Sequence, residues 1–264
     1  MHDLRVTLIQ TALFWEEAKK NIDHFEELTS RITEPTDLIL LPEMFNTGFS
    51  INPAKCAEPM EGPAMQFLQR KSAEKNAVIM ATFMVSEVDG FYNRLVCMHP
   101  DGHFETYDKR HLFRLSEETR ILKSGSKKLL VNVKGWNIST VTCYDLRFPV
   151  WCKNNWMDGK YEYDLLVCLA NWPASRSQVW KTLLNARAIE NQSYVAAVNR
   201  VGCDGNGYEH SGDSMAIDAK GTVIYAAREF AEEIRTVEFS MRELESFRDS
   251  YTMGKDWERF TMHV

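Results

Sequence analysis

The 264-residue chain has no uninterrupted apolar run of the roughly 20 residues that a membrane-spanning helix needs, so no such helix is expected. It has no excess of positive charge either. Its 31 Lys and Arg stand against 37 Asp and Glu, a formal net charge of −6. Neutralising a phosphate backbone takes a basic face, so nucleic acid is not expected as a partner. The N-terminus, Met1-His2-Asp3-Leu4-Arg5-Val6, lacks the basic segment and apolar run of a secretion signal, and a cytoplasmic protein is expected. None of the six cysteines (56, 97, 143, 152, 168 and 203) forms a Cys-x-x-Cys pair. Scattered cysteines in a non-secreted chain are mostly reduced, and Cys97 and Cys168, in apolar runs, read as core filler. The seven histidines are read as lacking a zinc spacing, and no metal and no organic cofactor are expected. The run Lys123–Lys128 lacks the first glycine of a phosphate loop and follows no strand, so it reads as a surface turn. There is no Pro/Gly/Ser-rich linker and no repeat of fixed period, which points to one domain over 1–264.

What is present is ordinary globular material, 44% hydrophobic and 26% charged, in which strand-like and helix-like runs alternate. Strands are read at 4–10, 37–41, 77–85, 91–98, 103–108, 129–133, 137–142, 164–169, 193–198 and 233–238, with a hairpin over 213–226. Helices are read at 18–32, 63–75, 175–191 and 240–248. So many strands joined by short turns exceed one helix-flanked parallel sheet, and two stacked sheets with helices outside fit better.

Three strand-like runs end in residues with chemistry. Glu43 follows the run 37–42, Lys109 follows 104–108, and Cys143 follows 136–142. A free thiol, with a pKa of about 8.5, is only partly thiolate at neutral pH. An ammonium such as Lys109 favours the thiolate; a carboxylate such as Glu43 can instead take the proton as general base. The sequence leaves open which form dominates at rest. Taken singly, each residue reads as a cap, a surface charge or core filler.

Together the three motifs resemble the nitrilase, or carbon–nitrogen hydrolase, superfamily. They are Leu41-Pro42-Glu43-Met44-Phe45, Tyr107-Asp108-Lys109-Arg110-His111-Leu112, and Cys143-Tyr144-Asp145-Leu146-Arg147-Phe148-Pro149. Asn171-Trp172-Pro173 with Arg176, and Gly48-Phe49, carry a closer match to the bacterial YafV-type ω-amidases. The resemblance implies an α/β fold, a four-layer α-β-β-α sandwich of two stacked mixed sheets flanked by helices. It also implies a homodimer with the tail, 249–264, at the interface. In that scheme Cys143 attacks an amide carbon and Glu43 moves protons. Lys109 and the backbone N–H of Tyr144 stabilise the oxyanion, worth about 3–4 kcal/mol per donor.

A second carboxylate is expected near Lys109, with Glu118 preferred and Glu117 left open. The structural alternative is a helix cap at Ser116. Arg176 is the candidate cation for a substrate carboxylate, with Trp172 and Phe49 as pocket walls. Arg147 is read as a salt-bridge anchor of the nucleophile turn, and Arg187 with Glu190 as an architectural pair. A Cys–His dyad through His111 is conceivable. The expected activity is hydrolysis of a small-molecule 2-oxo-acid ω-amide. The alternatives are a carbamoyl-amine hydrolase and a non-catalytic binding module.

Overall fold

The computed structural model describes residues 2–262. Five strands come first: β1 (Leu4–Gln10), β2 (Leu38–Leu40), β3 (Val78–Glu87), β4 (Gly90–Met98) and β5 (Phe104–Asp108). Then follow β6 (Leu130–Val133), β7 (Trp136–Thr142) and a two-residue pair, β8 (Trp156–Met157) and β9 (Lys160–Tyr161). The last seven are β10 (Leu165–Ala170), β11 (Tyr194–Asn199), β12 (Val201–Cys203), β13 (Glu209–Ser211), β14 (Met215–Ile217), β15 (Val223–Ala226) and β16 (Glu233–Phe239). They assemble as two six-stranded sheets, β16-β1-β2-β3-β4-β5 and β15-β14-β11-β10-β7-β6. Each sheet has three parallel strands at its centre, β1-β2-β3 in one and β7-β10-β11 in the other. Antiparallel strands flank both.

The parallel strands are covered on both faces, which is why they read as near-continuous apolar runs. Leu165-Leu166-Val167-Cys168-Leu169 is fully buried throughout. One apolar cluster joins the sheets face to face, with Leu8, Leu40, Met80 and Leu95 meeting Ile138, Leu165, Val167 and Val198. The helices Ala18–Ser30 and Pro63–Lys75 cover the outer face of the first sheet through Phe25, Leu28, Phe67 and Leu68. Helix Ser177–Asn191 packs its Trp180, Leu184 and Ala188 on the second. The result is the expected α-β-β-α sandwich. Among the described residues no helix is long and apolar enough to cross a membrane.

The β12–β13 hairpin has no counterpart in the sequence reading, because its three-residue strands carry a polar loop and no alternation of apolar residues. Part of the C-terminal segment packs on its own chain: Trp257 meets Tyr161 edge to face at 5.6 Å, while Tyr251 and Phe260 are exposed. Residues 263–264 of the expected interface tail lie outside those described.

Candidate active site

Glu43, Lys109 and Cys143 arrive from both sheets at one end of the sandwich. Glu43 lies just past β2, Lys109 immediately past β5 and Cys143 immediately past β7. Cys143 itself has a left-handed backbone, φ +47°, a conformation that costs a non-glycine residue about 1–3 kcal/mol and persists only where its surroundings enforce it. The enforcement comes from Asp145, buried in the 3-10 turn Cys143–Arg147. Its carboxylate accepts from the Thr142 N–H at 3.0 Å, the Tyr107 hydroxyl at 2.6 Å and the His111 N–H at 2.7 Å. His111 Nδ1 lies 2.8 Å from the same carboxylate, and its ring stacks on Phe148. His111 therefore braces the turn, and a dyad with Cys143 is not what the geometry offers.

Lys109 is fully buried and bridges two carboxylates. Its Nζ is 2.9 Å from Glu43 and 3.1 Å from Glu118, both also without exposure. Glu117, by contrast, is exposed and pairs with Arg120. Asn93 on β4 donates to Glu43 at 2.8 Å and to Glu118 at 3.4 Å. The second Glu43 oxygen accepts the Asn171 N–H at 2.8 Å, and the Asn171 side-chain amide donates to the Glu43 carbonyl. Burial alone would lower the pKa of Lys109, but the charges of Glu118 and Glu43 outweigh it and raise it above the ordinary value. Burial raises that of Glu118, with Lys109 pulling it back and Glu43 pushing it up again. The Cys143 thiol is driven well up, first by burial and then by Glu43, against the opposing pull of Lys109. Burial and the neighbouring Glu43 thus favour the neutral thiol at rest.

Cys143 opens into a cavity of about 250 Å³ lined by Phe49, Phe113, Tyr144, Trp172 and Arg176 among others. Lys109 Nζ lies 5.0 Å from the centre of the Phe49 ring, and the Tyr144 ring meets Phe113 edge to face. The guanidinium of Arg176 lies over Phe113 at 5.3 Å. Among the described residues Arg147 has no ion-pair partner, so it is not the salt-bridge anchor that was expected. It lines the cavity with its guanidinium over Trp172 at 4.9 Å. The turn is tied instead by Arg187, which donates to the Leu146 carbonyl at 2.6 Å and pairs with Glu190.

The far wall is the β12–β13 hairpin, through Asp204, Asn206, Tyr208 and His210. Asp204 fastens its tip by accepting the N–H groups of Asn206 and Tyr208, both at 2.9 Å. Buried Arg200 holds its base, donating to the Val201 and Cys203 carbonyls. Burial, and then the charge of Arg200, bring the pKa of His210 down to about 4, so its imidazole is neutral at neutral pH.

A carbon–nitrogen hydrolase family profile matches residues 5–249. The chain belongs to the carbon–nitrogen hydrolase family. Over 262 residues it is 40% identical to the ω-amidase YafV of Yersinia enterocolitica, covering 99% of this chain and 100% of that protein. It is 30% identical over 255 residues to the 2-oxoglutaramate amidase of Bacillus subtilis strain 168, covering 95% and 96%. The crystal structure of XC1258 from Xanthomonas campestris is that of a CN-hydrolase superfamily protein with an arsenic adduct in the active site. It matches with a TM-score of 0.97 at 40% identity, over 100% of both chains.

The motifs of the sequence point to Glu43, Lys109 and Cys143 and leave unmarked the residues that hold them in this carbon–nitrogen hydrolase. Asn93 sits inside an apolar strand and Asn171 at a strand end, and nothing in their spacing marks a partnership with Glu43. Arg147 faces the cavity because the 3-10 turn rotates it there, a rotation that linear spacing does not encode.

Proposed function

We propose that this carbon–nitrogen hydrolase is a cysteine-dependent ω-amidase, hydrolysing 2-oxoglutaramate-type amides to the 2-oxo dicarboxylate and ammonia. The observation that carries the reading is the pairing of a neutral, buried thiol and its carboxylate with a cavity bearing two guanidiniums, Arg147 and Arg176. Asp204 is the one carboxylate lining that cavity among the described residues, and its Oδ1 is occupied by two backbone N–H groups. A substrate carboxylate finds partners there, whereas an α-ammonium group meets cations. The ω-amidase and 2-oxoglutaramate amidase relatives support the same choice.

In the proposed cycle Cys143 Sγ attacks the amide carbon while Glu43 takes the thiol proton. Lys109 and the Tyr144 N–H stabilise the negative oxygen of the tetrahedral intermediate. Glu43 then gives the proton to the leaving nitrogen, and ammonia departs from a thioester. Glu43 next deprotonates an incoming water, whose attack releases the acid and returns the proton to sulfur. Glu118 holds Lys109 against Glu43 through these steps. The reading extends to a cytoplasmic homodimer that acts on small molecules rather than nucleic acid or membranes, with the exposed Tyr251 and Phe260 of the tail at the subunit interface.

The test is ammonia release from 2-oxoglutaramate, glutamine and N-carbamoylputrescine. Turnover of the 2-oxo amide is expected to dominate, and Cys143→Ala to remove it by roughly 10⁴-fold or more. Arg147→Gln and Arg176→Gln each delete a charge-assisted hydrogen bond of about 1.5–3 kcal/mol, which predicts at least a tenfold loss in kcat/KM. Equal rates on glutamine would sink the substrate assignment. Turnover of the carbamoyl compound alone would move the substrate and keep the chemistry.

A further inference from the structure

Away from the candidate active site, the far end of the β4–β5 hairpin gathers soft and hard donors on one face. Cys97 stands directly opposite Glu105 in the ladder. Two residues on, the His99 N–H donates to the His103 carbonyl at 2.9 Å. Residues paired across an antiparallel ladder share a face, as do alternate residues along a strand. All four side chains therefore project from the same side. His99 and His103 stand four apart in the sequence, a His-x-x-x-His spacing that corrects the expectation that the histidines lack one.

The Cys97 Sγ lies 3.7 Å from His99 Nε2, and Glu105 Oε2 lies 2.8 Å from that same nitrogen. All three donor atoms fall within 4.8 Å of one another. Protons alone serve this arrangement badly. If Nε2 carries hydrogen it satisfies Glu105 and leaves the buried thiol facing a donor. If Nε2 carries its lone pair it accepts from the thiol and faces a carboxylate. A cation among the three satisfies all of them at once. Tetrahedral zinc, with bonds of about 2.3 Å to sulfur and about 2.0 Å to nitrogen, separates S and N by roughly 3.5 Å. The observed 3.7 Å is close to that edge. The Glu105 oxygen must retract by about half an ångström for the zinc geometry, and its side chain is 35% exposed, so it has room.

We propose that Cys97, His99 and Glu105 form a zinc-type metal site that clamps the end of the β4–β5 hairpin. The fourth position goes to water or to His103. The His103 ring stacks on His99 at 3.8 Å, and its Nδ1 lies 2.5 Å from Asp101, leaving Nε2 as the free nitrogen. A carboxylate behind a histidine is the usual way such a ligand is oriented. Binding displaces the Cys97 proton to solvent. The site is structural with respect to the reaction. Asn93 lies four residues before Cys97 on β4, and Lys109 four residues after Glu105, so each is about 13 Å along its strand from the metal.

The experiment is a cobalt(II) titration of the Cys143→Ala protein, which removes the competing candidate nucleophile, followed by zinc competition. Expected is one equivalent of cobalt with tetrahedral d–d absorption and a thiolate-to-cobalt charge-transfer band, both erased by zinc. Cys97→Ser in that background is expected to lose the charge-transfer band. Because Cys97 is buried, His99→Gln and Glu105→Gln at less buried positions serve as controls, each expected to weaken binding at least roughly tenfold with an unchanged circular dichroism spectrum. Absence of tetrahedral absorption, or bands that persist in Cys97→Ser and His99→Gln, overturns the site.

Discussion

Around Glu43 the charge balance depends on a single neutral residue. Asn93 offers its side-chain amide to Glu43 and Glu118 together, and its backbone carbonyl accepts the Lys109 N–H at 2.9 Å. The carboxylates can only accept, so the amide nitrogen must face them, and its oxygen is left buried without a partner among the described residues. A native structure retains such an unpaired atom where the geometry of its neighbours matters. Asn93→Ala should therefore lower kcat/KM roughly 10- to 100-fold, given about 1.5–3 kcal/mol for a hydrogen bond to a charged group. The acid limb of the pH profile should move to higher pH, because loss of a donor disfavours the charged carboxylates. A drop with an unmoved acid limb would reduce Asn93 to packing. The candidate nucleophile, its carboxylate and the lysine were legible because each ends a strand in a recognisable motif. Asn93 was not, since one asparagine among Tyr92, Arg94 and Leu95 carries no local signature. Its role exists only once the segment after β2 brings Glu43 across to β4.

The long elements were legible for a similar reason. A 13-residue helix such as Ala18–Ser30 shows its apolar face in linear spacing, and a strand such as β10 shows its double burial in an unbroken apolar run. The β12–β13 hairpin and the 3-10 form of the turn after Cys143 are set by tertiary contacts, and so escaped. The docking of the last long helix, Met241–Ser250, is equally invisible in sequence. Arg248 reaches inward and donates to Asp164 at 2.6 Å, the Tyr163 carbonyl at 2.8 Å and the Gln192 carbonyl at 2.9 Å. Asp164 also accepts the Asn137 N–H at 3.0 Å, so one ion pair fastens this helix to the starts of β7, β10 and β11. Truncation leaves a nearly buried carboxylate without its cation, a loss of about 3–5 kcal/mol. Arg248→Ala should shift the urea midpoint accordingly while leaving the slope m unchanged, since the same surface unfolds. A loss below about 1 kcal/mol, the scale of an exposed pair, would mean that the helix is held by its apolar face alone.

At the scale of the molecule, the sandwich encloses titratable groups that a smaller core would leave in water. Burial comes first among the causes that push the thiols of Cys143 and Cys168 well above their ordinary range, and it raises Cys152 to about 12. In the unfolded chain each titrates near about 8.5. Below that pH both states hold the proton and the stability is fully present. Above it the unfolded chain releases protons that the folded chain retains, so stability declines with rising pH, by up to about 1.4 kcal/mol per pH unit for each such thiol. The decline attributable to Cys152 levels off once pH passes about 12. Tyr107 and Tyr163, raised first by burial, add to the slope only above about pH 10, where an unfolded tyrosine begins to ionise. Calorimetry between about pH 7.5 and about pH 9.5, the window set by the thiols alone, should show Tm level at first and falling once pH passes about 8.5. Cys168→Ala should flatten that fall by removing one thiol while lowering Tm at neutral pH, because it also empties space in the buried core. A Tm that holds constant across the window, or a slope untouched by Cys168→Ala, would mean that the buried thiols open to solvent without unfolding the sandwich.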